Sequence, residues 1–145
     1  MTLEQIQQLW NQDSIIDQSN LSEESLKISQ LHSKYYIIYS NEHLVYIKML
    51  GEHDKLSVQK REFYTQGPTK QQHQQGWKLP DKGVILKNEA DGYINADEDI
   101  ISSKLRLAYQ KEKVDFAEQI IRAINNRSFQ IKNAIDFIKF TNGAS

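Results

Sequence analysis

The chain has 145 residues, 39% of them hydrophobic, with a mean hydropathy of -0.66. That length suits one domain, or one domain with an arm, and the polar balance suits long helices that pack on copies of themselves. The absence of cysteine excludes disulfides and thiolate metal sites and makes a reducing compartment natural, and a net charge of -1 argues against a generic nucleic-acid binder.

The first residues, MTLEQIQQLW, have neither a basic start nor an apolar run, so no signal peptide is expected there. Thr2 and Gln5 form a capping-box pattern, and Leu3, Ile6, Leu9 and Trp10 fall on one face, which predicts a short amphipathic helix over residues 3–11. Residues 13–20 read as a connector, with Asn20 or Ser22 capping the next helix. From Leu21 to Tyr64 there is no proline and a single glycine, Gly51. Apolar positions recur every seven residues through Leu21, Ile28, Tyr35, Met49, Leu56 and Phe63, with Glu42 in the same series. This predicts a long helix with a coiled-coil-like seam; residues 30–64 alone would span roughly 50 Å and need a partner helix.

Residues 67–76, GPTKQQHQQG, read as a flexible loop, and Trp77 to Asn95 as a turn-rich connector. Within it Val84-Ile85-Leu86 is either a single strand or an extended arm. Asn95 or Asp97 can cap the last long helical segment. There Ile100, Leu107, Val114, Ile121 and Ile135 share one heptad position, and Ala117, Ile124, Ile131 and Ile138 the position three further on, while residues 125–128 mark a break. Paired antiparallel with the first long helix, this stripe supplies a minimal core. The fold class is therefore all-α, with long antiparallel helices and a short irregular or extended middle. The regions are 1–66, helical with a basic-aromatic segment; 67–95, loop and connector; and 96–145, an assembly element.

Charge is sorted into blocks. Residues 1–33 hold one base and five acids, residues 34–87 nine bases and five acids, residues 88–103 five acids alone, and residues 104–145 eight bases and four acids. A positive face can thus exist on a nearly neutral molecule, although solvated helix surface gives the same pattern. The sharpest local feature is QKREFYTQG at residues 59–67, where Lys60 and Arg61 precede Phe63 and Tyr64. Cations suit phosphates, and rings suit the flat faces of unpaired bases. Lys48 and Lys55 precede them on the same helix, at spacings read as placing 48, 55 and about 59–62 on a common side, which makes Lys48, Lys55, Lys60, Arg61, Phe63 and Tyr64 the candidate DNA contacts. The competing explanation is plain: Phe63 lies in the seam, and cations near a helix C-terminus favour its dipole. Tyr35, Tyr36, Tyr39 and Tyr46 form an aromatic run that reads as packing first and stacking surface second. The four histidines are isolated, so no metal site is expected, and no nucleophile elbow or phosphate-binding loop is present, so neither an enzyme nor a cofactor is expected.

The blocks IDQSNLSEESLKISQLHSKYY, KREFYTQG, VILKNEADGYINADEDI and QKEKVDFAEQIIRAINNRSFQIKNAIDFIKFTNG occur in an order that resembles the UvsY family, the recombination mediators of T-even-type bacteriophages and cyanophages. The likeness covers nearly all of residues 13–143 and is most specific at Asn126 to Lys132. It implies an all-helical protein that assembles as a hexameric or heptameric ring, binds single-stranded DNA, and passes it from a single-stranded DNA-binding protein to a UvsX-type phage recombinase. The implied location is the cytoplasm of the infected bacterial host, with no membrane partner. By position it assigns DNA contact to Lys60 and Arg61; the chain departs from the pattern at Val58, where a basic residue would match. It also assigns assembly to the C-terminal region, hence to Leu107, Val114, Ala117, Ile121, Ile124, Ile131, Ile135 and Ile138. Repetition of a weak site around a ring would raise its overall grip on one strand. The alternative is a helical scaffold or adaptor that assembles and binds only proteins.

Overall fold

The computed structural model describes residues 1–143, and every regular element among them is helical. In chain order these are α1 (Leu3–Asp13), α2 (Leu21–Leu26), α3 (Ile28–Gln66), α4 (Lys70–Gln74), a 3₁₀ turn (Lys87–Glu89), α5 (Ala90–Ala96), α6 (Glu98–Asn125) and α7 (Arg127–Thr141). Among the described residues no helix is long and apolar enough to cross a membrane. The chain forms two compact units, one from Met1–Leu44 with the chain from Gln110 onward, the other from Val45–Tyr109. Their boundaries fall inside α3 and α6.

In the first unit, α1 begins with the expected capping box: the Gln5 amide donates to Thr2 Oγ1 and the Thr2 amide to Gln5 Oε1. The face it buries meets α3 and α6, where Ile6, Tyr35, Ile120 and Ile124 form the core, ringed by Leu9, Trp10, Leu31, Ile38 and Phe116. Trp10 stands edge-on to Tyr35 with centroids 5.4 Å apart. The Tyr35 hydroxyl donates to Asp13 at 2.8 Å, and the Lys34 ammonium pairs with the same oxygen at 2.6 Å. Glu42, the acid in the seven-residue series, keeps its buried place because Gln110 and Lys113 of α6 reach it at 2.7 and 2.9 Å. Contacts of Tyr35 with α6 near Ile124, and of Glu42 with α6 near Gln110, show the two helices running antiparallel here. At the start of α7 the buried Arg127 donates to the carbonyls of Asp13 and Ser14, covering the open end of α1. Helix α2 packs on α7.

In the second unit Phe63, Tyr64, Ile85, Ala90, Ile94 and Ile100 form the core, with Leu56, Trp77, Leu79 and Tyr93 against it. Here too α3 and α6 are antiparallel: His53 meets Ser103 at 2.8 Å and Lys60 meets Asp99 at 2.8 Å. Gly67 ends α3 at φ 95°, a conformation that favours glycine.

Three expectations are corrected. The segment read as a flexible loop contains α4, held by a second capping box between Thr69 and Gln72. Val84-Ile85-Leu86 forms neither a strand nor a free arm, since Ile85 is buried in the core and its amide donates to the Tyr64 carbonyl at 2.9 Å. The connector also holds α5, which sequence reading missed; Ala90 and Ile94 give it a buried face one turn apart. The first long helix lapses once, at Lys27, and the last at Asn126.

Candidate nucleic-acid interface

Helix α3 carries all six candidate DNA contacts, and its geometry separates them. Lys48 and Lys55, seven residues apart, lie within about 20° of each other around the axis, whereas Lys60 lies about 140° beyond Lys55. Both Lys48 and Lys55 are exposed, and among the described residues neither ammonium meets a carboxylate. On the same outer face Ile47 and Val58 are exposed apolar side chains. Gly51 lies between the two lysines, where an added Cβ would meet nothing within 4 Å. Lys55, Val58, Gln59 and Asp54 line a shallow hollow.

Lys60 faces inward. It is only 3% exposed, and its ammonium lies 2.8 Å from Asp99, 3.1 Å from Asp97 and 3.7 Å from the centre of the Trp77 ring. A cation over an indole face, paired with two carboxylates, has its charge satisfied on every side. Phe63 is 1% exposed and packs edge-on against Tyr64 and Trp77. The Tyr64 hydroxyl donates to Asp97 Oδ2 at 2.7 Å. The expectation that Lys60, Phe63 and Tyr64 present a cation and rings to a ligand is therefore corrected for the folded protomer, where all three are core. The heptad register already placed Phe63 in the seam, and packing won over stacking. Arg61 is half-exposed and paired with Asp91.

Asp97 organises this cluster. Its Oδ1 accepts from the Asp99 and Ile100 amides at 2.9 and 3.2 Å, so it is the N-cap of α6, as the sequence suggested. Burial pushes its carboxyl up, but Tyr64, Lys60 and the Ile100 amide more than offset that and hold it below the usual carboxylate range. Burial, with donation to Asp97, pushes the Tyr64 phenol up. Sequence reading took Asp97 only as a candidate helix cap, and the acids after it only as part of an acidic block. Their pairing with Lys60, and that of Asp91 with Arg61, had one available signal: an acidic block without bases beside a basic one.

The expected assembly stripe is also redirected. Val114, Ala117, Ile124 and Ile131 are buried within the protomer, and Leu107, Ile121 and Ile135 are half-buried; of the eight, only Ile138 is exposed. The stripe forms an intramolecular core. The large apolar side chains that α7 leaves exposed are Phe129, Phe137 and Phe140, together with Ile138.

These features define an all-α protein in which α3 and α6 run antiparallel within each unit, with exposed cations, unpaired with carboxylates among the described residues, and apolar side chains on the outer face of α3. The chain belongs to the UvsY family: the family model described as recombination, repair and ssDNA binding protein UvsY matches residues 9–144. It is similar to a crystal structure of the bacteriophage T4 recombination mediator protein UvsY, with 25% identity, 98% of each chain covered and a TM-score of 0.79. A second crystal form of the T4 protein matches with 22% identity, 97% of this chain and 99% of that one, and a TM-score of 0.77, a likeness of fold. No curated protein matches the chain.

Proposed function

We propose that this protein is a non-enzymatic recombination mediator: a homo-oligomer that binds single-stranded DNA and helps load a UvsX-type recombinase onto strands covered by single-stranded DNA-binding protein, in the cytoplasm of an infected bacterium. Family membership supports the general role. The observation that carries the DNA contact is the pair Lys48 and Lys55, exposed on the outer face of α3 and without carboxylate partners among the described residues. Phosphates would meet these ammonium groups, and the open backbone at Gly51 with Val58 beside it offers bases an apolar surface. Two lysines per protomer give a weak site, and repetition in a hexameric or heptameric ring makes it effective along one strand. The exposed phenylalanines of α7 are the apolar surface on which such a ring would close.

Binding of a fluorescent oligo-dT across a salt series tests the reading. Lys48→Gln with Lys55→Gln should lower affinity at least tenfold and flatten the plot of log K against log salt by about 1.4 per protomer engaged. Mass by light scattering should stay unchanged. Equal binding by the variant would remove this face from the interface. Wild-type protein that assembles yet shows no salt-dependent DNA binding would hand the function to the scaffold reading.

A further inference from the structure

Resting on the DNA-binding reading above, we propose that the acidic segment from Asp91 to Asp99 acts as an internal phosphate mimic, masking the Lys60 and Arg61 cations so that DNA must displace its exposed carboxylates, Asp91 and Asp99, to use them. Both adjacent cations of the basic segment are held by acids from this single stretch of chain: Arg61 by Asp91, and Lys60 by Asp97 and Asp99. The carboxylates differ in what else they do. Asp97 is buried and caps α6, so it is part of the fold. Asp99 is 57% exposed and Asp91 77% exposed, and among the described residues each forms an ion pair with its own cation alone, so each stands where an incoming phosphate oxygen would stand. Lys60 and Lys78 both line a cleft of about 630 Å³ that opens beside Trp77, and Asp97, Glu98 and Asp99 line it too. An exposed Arg–Asp pair is weak, so a polyanion that releases counterions can replace it. The same contact lets a protomer with an unengaged strand keep its basic segment neutral, and it makes DNA binding two-stage: the free lysines of α3 engage first, and the masked pair engages second.

The test neutralises the mask without touching the cations. Lys60 itself is a poor probe, because its removal leaves the buried Asp97 without its counter-charge. Asp91→Asn with Asp99→Asn should bind oligo-dT about tenfold more tightly than wild type at low salt, with a slope against log salt steeper by up to about 1.4. The control is Asp81→Asn with Glu112→Gln, two exposed acids outside the segment that pair with no cation among the described residues and change net charge equally. It should gain less than half as much on a logarithmic scale. A control that matches the test variant, or a test variant that binds like wild type, overturns the mask while leaving DNA binding in place. Failure of wild type and both variants to bind overturns the DNA-binding reading and the mask with it.

Discussion

Asp13, Glu42 and Asp97 are carboxylates that the fold draws partly inside while keeping them ionised. In each, burial pushes the pKa up and specific partners pull it down further: Lys34 and Tyr35 at Asp13, Gln110 and Lys113 at Glu42, Tyr64 and Lys60 at Asp97. All three are lowered in the folded state, so the unfolded chain binds their protons first as pH falls. Their contribution to stability is complete above the unfolded carboxylate range, about pH 4, and is lost as pH drops through the lower folded values. Denaturant unfolding measured from pH 2 to pH 7 should therefore show stability falling below about pH 4. Asp97→Asn should lower stability at neutral pH by roughly 1–3 kcal/mol, because Lys60 loses a counter-charge, and should make the acid limb shallower. An acid limb as steep as that of the wild type would mean that Asp97 titrates alike in both states.

At the level of elements, Gly51 is the clearest anomaly. It lies inside the thirty-nine-residue α3, where glycine costs conformational entropy, and nothing in the fold crowds its missing side chain. Gly51→Ala should raise stability by about 0.5–1 kcal/mol in chemical denaturation. A loss of stability would show that the backbone at this point needs glycine for a reason the protomer does not display. The long helices were legible in the sequence because a seam of apolar residues every seven positions has no other economical use, and Thr2 and Asp97 announced their caps. The short elements were less so. Thr69 and Gln72 repeat the pattern of Thr2 and Gln5, but the stretch around them has no apolar face to suggest a helix. Gly92 and the acids around it hide α5, whose apolar face is only Ala90 and Ile94 with Tyr93 beside them. The candidate site was half legible: spacing correctly made Lys48 and Lys55 neighbours, but it was wrong to place Lys60 on their side, since five residues of helix carry it about 140° away and into the core. Residue type names a chemistry, and the helical angle decides whether that chemistry faces solvent or core.

For the molecule as a whole, surface apolarity is concentrated where a single protomer has no use for it. Phe129, Phe137 and Phe140 lie within about 80° of one another around α7, and Phe140 is 81% exposed. Replacing all three with serine should leave helical content unchanged by circular dichroism, since exposed positions contribute little to protomer stability. Sedimentation should then report a smaller species than wild type. An unaltered sedimentation coefficient would place assembly on other surfaces, such as the outer face of α3.

The unit built from Met1–Leu44 and the chain from Gln110 onward is discontinuous in sequence, and this has a bearing on how the protein is made. On a ribosome, Val45–Tyr109 emerges as one uninterrupted stretch and can close on itself, while Ile6 and Tyr35 wait for Ile120 and Ile124 to be synthesised. Arg127, which seals the end of α1, arrives later still. A nascent chain that has emerged only as far as Tyr109 thus carries one finished unit and one whose apolar face stays open until Ile120 and Ile124 follow.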